Sequence, residues 1–351
     1  MFGDLQFSTG MCEDIARPGR TLHPRDMTQR MTQRHRHCTL AIVLAVLAHG
    51  AAIGAQGAAP RNFRVTLLGT GAPPPSVTRF GPSILVEAGD QTLVFDTGRG
   101  ASQRLEQLGV PFSGINAVFL THLHSDHVVG LPDLWLSGWI ISRRTVPWEL
   151  FGPAGTAAMA AHLTQAFAFD LDIRTKEGRQ DPAGGRLGAR DVEPGVVYER
   201  GGVKVTAFLV DHGVVAPALG YRIEYGGRTV VLSGDTKFSP TLIANARGAD
   251  LLVHEVVLAP ADVGPSAPYY RAFAHHTTPE QAAEVFTRAR PALAVYSHIV
   301  VFGGREEAEI MSRTRPGYAG PVLLGQDLMS IAVGDTLATP RPRAPAAAPR
   351  P

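Results

Sequence analysis

From residue 63 onward, short apolar runs alternate with helical patterns. Residues 63–68, 83–87 and 92–95 read as three strands, because apolar residues dominate each run and turn-forming residues bound it. A helix is predicted over 101–108 and a buried strand over 115–120, and a helical pattern starts after His127. Gly152-Pro153-Ala154-Gly155 opens a further helix that ends near Phe169. Residues 176–195, rich in Gly, Pro and charge of both signs, read as an exposed loop. Strands are predicted over 203–210, 220–225 and 228–232, the last two joined by a Gly226-Gly227 hairpin turn. Then come a helix over 240–246, a strand over 250–253, and a helix over 279–289 capped by Thr277 or Thr278, with Pro279 in its first turn. A strand over 292–296, a helix over 305–314 and one or two strands to Val333 complete the pattern. Trp135, Trp139 and Trp148 suit core packing, with the wall of a substrate pocket as the alternative.

Polar residues recur where the strands stop: His122, His212, Asp235, His254 and His298 each follow a predicted strand. A sheet carrying such residues along one edge gathers them in one cleft, where α/β folds place their chemistry. A lone His212 or His298 would read as a structural residue. Their recurrence beside Thr121-His122-Leu123-His124-Ser125-Asp126-His127 points to ligands instead. In extended backbone His122 and His124 project to one side, while Asp126 and His127 begin the next turn and face a second point nearby. Three imidazoles and a carboxylate form a nitrogen and oxygen donor set suited to zinc, iron or manganese. Gly69-Thr70-Gly71-Ala72-Pro73 makes a tight turn rather than a phosphate loop, since no Gly-Lys-Ser/Thr follows.

The first sixty residues differ from the rest. Arg30, Arg34 and Arg36 precede the apolar run 40–48, and small residues follow from Gly50 to Ala59, the layout of a secretory signal. The run is too short for a stable bilayer anchor, so the mature form is expected to be periplasmic or secreted, with no membrane anchor. Cleavage is expected near residues 55–59, and translation is expected to start at Met27 or Met31. The whole chain carries 33 basic and 31 acidic residues; loss of residues 1–55 removes six and four of them and leaves 27 of each. A neutral mature protein lacks the positive charge of a general nucleic-acid binder. Both cysteines, Cys12 and Cys38, leave with the signal, so no disulfide and no thiolate ligand is expected.

Thr-His-x-His-x-Asp-His at 121–127, Asp-His-Gly at 211–213, Ser-Gly-Asp-Thr at 233–236 and Ser-His at 297–298 resemble the motifs of the metallo-β-lactamase superfamily. The likeness is to the branch that holds tRNase Z and the zinc-dependent arylsulfatases and phosphodiesterases. It spans about residues 63–333 and implies an α/β fold, a single-domain αββα sandwich with two divalent metal ions in a cleft at the sheet edges. Zinc is expected, with manganese or iron as alternatives. By resemblance, His122, His124 and His212 hold one ion, Asp126, His127 and His298 the other, and Asp235 bridges them. His254-Glu255 looks like the His-Glu-Ala element of tRNase Z, and His276-Thr277-Thr278 like its His-Ser-Thr element. These imply His276 as general acid, oriented by Glu255, and Asp126 as proton acceptor for the nucleophile. Glu255 has an alternative reading as support for a ligand.

The expected layout is an extension and signal over 1–59, a hydrolase domain over 60–336 and a disordered Pro/Ala-rich tail over 337–351. tRNase Z carries a long arm for tRNA between its third and fourth motifs, whereas only a strand hairpin separates His212 from Asp235. Together with export and neutral charge, this favours an exported arylsulfatase-like or phosphodiesterase-like hydrolase. Its expected partner is a small-molecule ester, not nucleic acid, and a homodimer is an open option. A tRNase Z-type ribonuclease, an exported lactonase or β-lactamase, and a binding protein with a vestigial metal site are the competing readings. Arg79, Tyr269, Tyr270 and Arg271 are candidates for substrate contact.

Overall fold

Each predicted apolar run becomes a strand, and the helices between them are crossovers. The computed structural model describes residues 62–260 and 262–334, together with the backbone of Arg341–Pro342; the expected signal sequence and its cleavage site lie outside these residues. The first sheet begins as an antiparallel meander of β1 (Phe63–Gly69), β2 (Ser83–Ala88) and β3 (Gln91–Phe95). Helix α1 (Ala101–Gln107) then crosses to β4 (Ala117–Phe119), which lies parallel to β3. Helices α2 (Ser125–Val128) and α3 (Leu131–Ile140) lead to β5 (Trp148–Gly152), and α4 (Thr156–Ala166) and α5 (Ala168–Lys176) lead to β6 (Leu187–Asp191).

The second sheet repeats this plan. Antiparallel β7 (Gly195–Arg200), β8 (Val203–His212), β9 (Val215–Tyr225) and β10 (Arg228–Leu232) come first. Helix α6 (Pro240–Ala246) then crosses to parallel β11 (Leu251–Leu258). The short helix α7 (Tyr270–Phe273) and α8 (Pro279–Ala289) lead to β12 (Leu293–Val301), and α9 (Ala308–Thr314) to β13 (Val322–Leu324). The chain returns to the first sheet as β14 (Met329–Ala332) beside β1. The strand orders are β15-β14-β1-β2-β3-β4-β5-β6 and β13-β12-β11-β10-β9-β8-β7, where β15 (Arg341–Pro342) pairs with β14 inside the stretch expected to be an unstructured tail.

Inner-face side chains of both sheets, among them Val65, Phe95, Phe119, Tyr221 and Val253, form one buried layer. Apolar faces of α1, α3 and α4 cover the outer side of the first sheet, and those of α6, α8 and α9 cover the second. The result is the expected helix–sheet–sheet–helix sandwich. Trp135, Trp139 and Trp148 are at most 1% exposed and pack in the core, and none of them lines the pocket beside His127, Asp235 and His298.

Two differences from the expected elements have clear causes. The predicted loop 176–195 contains β6 and the start of β7, which are edge strands with mostly exposed side chains, so hydrophobic alternation does not mark them. Strands β11 and β12 run on to Leu258 and Val301, past the polar pairs His254-Glu255 and Ser297-His298 that seemed to end them. Both are parallel strands buried on two faces, where pairing and burial override a polar interruption.

Phe119 holds the centre of the sandwich. Its ring stacks on Phe95 at 4.8 Å and on Phe151 at 5.1 Å, and Tyr198 and Tyr221 of the second sheet meet it edge-on, each at 5.7 Å. Phe119→Ala is therefore expected to destabilise the protein by about 3–5 kcal/mol, read as a lower denaturant midpoint at unchanged slope. A loss below about 1 kcal/mol would show that this aromatic layer does not hold the sheets together.

Candidate metal centre

The site forms where β4 ends against the second sheet. Asp96, after β3, sits at φ 56° in the left-handed region and turns its carboxylate toward β4. That carboxylate accepts hydrogen bonds from Thr121 N, Thr121 Oγ1 and His127 Nδ1, each at 2.8 Å. From the other sheet, Tyr221 donates its hydroxyl to the Leu120 carbonyl at 2.7 Å, and Leu219 N donates to the Thr121 carbonyl at 2.8 Å. The histidine cluster is thus pinned from both sides before any ligand binds.

Hydrogen bonds set which ring nitrogen faces the cleft. His212 donates Nδ1–H to the His275 carbonyl at 2.9 Å, His127 uses Nδ1 on Asp96, and His122 Nδ1 lies 3.0 Å from Thr121 Oγ1. All three therefore present Nε2. His124 presents Nδ1, 3.0 Å from His122 Nε2 and 3.4 Å from His212 Nε2.

The donor atoms of His122, His124, His212 and Asp235 lie within 4.8 Å of one another, and so do those of Asp126, His127 and His298. Asp235 Oδ2 stands between the two groups. It is 3.3 Å from the Nε2 atoms of His127 and His298, and 3.8 and 3.9 Å from those of His122 and His212. Asp126 Oδ2 is 3.3 Å from His298 Nε2 and 3.6 Å from His127 Nε2. Nitrogen lone pairs at these separations repel unless a cation lies among them, and the buried His127 Nε2 has no hydrogen-bond partner. The donors fit a pair of divalent ions, and the all nitrogen and oxygen chemistry suits zinc.

His298 reaches this cleft through backbone strain. The pairing of β11 with β12 steps from Glu255↔Ser297 to Val256↔Ile299, so His298 is an extra residue, a β-bulge at φ 43°. A left-handed histidine costs on the order of 1–3 kcal/mol, and the bulge re-aims its ring. The next amide, Ile299 N, donates to the Thr70 carbonyl at 2.9 Å and holds the bulge in place.

Glu255 and His276 stand at the rim of the second group. Glu255 Oε1 accepts from Thr277 N at 2.9 Å, and Oε2 lies 3.3 Å from His276 Nδ1. Burial pushes the His276 ring toward its neutral form, but the charges of Glu255 and then Asp235 outweigh it and raise its pKa to about 9. Burial drives His122 well toward the neutral, ligating form and His212 in the same direction. Asp235 is also disfavoured as an anion by burial, yet His298 and His127 hold it well below the usual carboxylate range.

Several residues behave differently from the sequence expectation. His254 lies inside β11 and faces away from the cleft, its ring edge-on to Phe286 at 5.6 Å. Arg79 is no substrate contact, because it forks onto Glu307 at 2.7 and 2.8 Å and donates to Thr70 Oγ1 and the Gly325 carbonyl. Tyr269 stacks on Phe302 at 4.8 Å. Asp96 was missed, although it too follows a strand, and so was Asp327, which accepts from Thr70 N, Thr70 Oγ1, Phe80 N and Arg104 Nη2 at 2.8–2.9 Å.

Comparison with known proteins gives this geometry its family. Residues 91–299 match the model of the β-lactamase superfamily domain. A ribonuclease Z from Mycobacterium sp. (strain KMS) is 35% identical over 274 residues, covering 77% of this chain and 96% of the relative. One from Mycolicibacterium paratuberculosis is 39% identical over 278 residues, covering 77% and 98%. Among solved structures, the metallo-β-lactamase fold protein YhfI from Bacillus subtilis has a TM-score of 0.59 at 21% identity, over 76% of this chain and 98% of its own. The short form of human tRNase Z has a TM-score of 0.56 at 24% identity, over 77% and 99%. These two show the same fold. Relatives that bear the name of a ribonuclease across nearly their whole length overturn the expectation of a small-molecule ester substrate with no nucleic-acid partner. By this match and by the motifs that converge on its cleft, the chain belongs to the metallo-β-lactamase superfamily, in its ribonuclease Z branch.

Proposed function

We propose that this protein is a metal-dependent hydrolase of RNA phosphodiester bonds. The observation that carries the reading is the convergence of seven donor residues from two sheets beside the Glu255–His276 pair, in a chain whose relatives are named ribonuclease Z. In this reading His122, His124 and His212 would hold one divalent ion and Asp126, His127 and His298 a second, with Asp235 within reach of both groups and zinc the first choice. Bound ions of this kind supply a nucleophile at neutral pH and positive charge for the phosphoryl oxygens.

The chain's own residues do the rest. Asp126, at the second group, accepts the nucleophile's proton. Glu255 holds His276 through Nδ1, which leaves Nε2 to donate a proton to the departing oxygen. With a pKa raised to about 9, His276 keeps that proton at neutral pH. The exposed face of the cluster at His124 is where a phosphodiester enters.

Labelled RNA, including a tRNA with a 3′ extension, is expected to be cut by the purified protein, and a chelator or His124→Ala is expected to abolish cleavage. Hydrolysis of bis-p-nitrophenyl phosphate with every RNA left intact would remove the ribonuclease reading and keep the metal site. His276→Ala is expected to lower kcat by about a hundredfold or more while metal content stays unchanged. Loss of metal in that variant would instead make His276 a ligand. Asp96→Ala should weaken metal affinity about 10- to 100-fold by freeing the His127 ring, measured by competition with a chromophoric chelator.

A further inference from the structure

Among the described residues, several cations on the segments that flank the metal cleft are already paired. Arg79 pairs with Glu307, Arg104 with Asp327, Lys237 with Asp211, Arg305 with Glu309 and Arg313 with Glu280. Arg99 and Arg271 on this edge are unpaired: both side chains are exposed and make no hydrogen bond or ion pair among the described residues. Arg99 belongs to the first sheet's side of the cleft. Its neighbour Gly98 packs so tightly that a Cβ there would stand 2.7 Å from the Asp126 carbonyl, and Thr97 N donates to the His127 carbonyl at 2.8 Å. Arg271 belongs to the second sheet's side. It lies on α7, and the turn that follows places the His275 carbonyl on His212 and the His276 ring on Glu255. Phe273 and Phe302 pack with Ala72, Val257 and Val300, which anchors α7 to this edge. Next to Arg271, the half-buried Tyr270 ring has no aromatic or cationic partner among the described residues, unlike Tyr269.

We propose that Arg99 and Arg271 grip the phosphates of a single RNA strand, one on each side of the metal cleft, with Tyr270 as a stacking platform for a base. This deepens the ribonuclease reading and rests on it. An exposed guanidinium without a protein partner has no ion pair to give up before it forks onto a phosphate. A ring beside a cation is the pairing that single-strand binders use, since every base has a face to stack. With Arg99 and Arg271 as the two free side-chain cations here among the described residues, electrostatic grip is weak and local, which suits a strand end rather than the body of a duplex.

The test is fluorescence anisotropy of a labelled single-stranded oligoribonucleotide on the metal-loaded protein, in a His276→Ala background that slows cleavage. Arg99→Ala and Arg271→Ala are each expected to weaken binding about tenfold for any sequence, as the loss of a charge-assisted hydrogen bond does. Each should also make the plot of log affinity against log salt shallower by about 0.7. Tyr270→Ala is expected to weaken binding about fivefold or more without changing that slope. Arg247→Ala, at the far end of α6, is expected to change neither. Binding by the background protein that keeps its affinity and salt slope in both arginine variants overturns the proposal while leaving the ribonuclease reading intact. No binding by the background protein, with no RNA cleaved by the unmodified protein, removes that reading and the proposal with it.

Discussion

Two buried carboxylates set the terms for this structure. Asp126 and Asp235 are 4% and 2% exposed, and among the described residues neither contacts a lysine or arginine; their charged neighbours are all histidines. An unpaired buried anion costs several kcal/mol, and without an ion the offsetting charge is imidazolium, chiefly His127, whose burial is outweighed by Asp235 and Asp96, which raise it well above the usual histidine range. Positive charge among those atoms is what makes the arrangement stable. A divalent cation among the same atoms would offset that burial while leaving the rings neutral and free to ligate.

Neither sheet owns the site. His122, His124, Asp126 and His127 come from the loop after β4, whereas His212, Asp235 and His298 come from β8, the loop after β10 and β12. Convergence thus depends on the docking of one sheet on the other, and the bonds from Tyr221 and Leu219 to residues 120 and 121 carry that docking to the ligands. A bound ion pair would tie the sheets together in turn, so metal affinity and folding stability are coupled through the same contacts.

Much of this was legible in the sequence, for physical reasons that also mark where legibility stopped. The run 121–127 announces itself because its donors are local and its strand is apolar. His212, Asp235 and His298 could be found only as a repeated strand-end pattern, and for His298 the pattern was right for the wrong reason. Its strand does not end there; a bulge at φ 43° turns the ring, and no local residue type signals a bulge held from Thr70. Asp96 and Asp327 were missed because their partners lie 25 and more residues away, at Thr121, His127, Thr70 and Arg104. Arg79 looked like a free cation for the same reason, since Glu307 lies 228 positions along the chain.

Net charge misled most about the partner. The neutral charge expected of a mature form argues against a general nucleic-acid binder, but formal charge measures diffuse attraction over a whole surface, the term that governs non-specific binding. It omits any ion the site holds, and it does not say which cations are already paired. Among the described residues, pairing takes up five cations on the segments that flank the cleft, and Arg99 and Arg271 have no such partner. A site of this kind recognises a phosphodiester by coordination and by a few placed contacts, so a net charge of only +2 is compatible with the proposed RNA substrate. Such a site gains discrimination from a small net charge, because polyanions that do not reach the donor cluster find little else to hold.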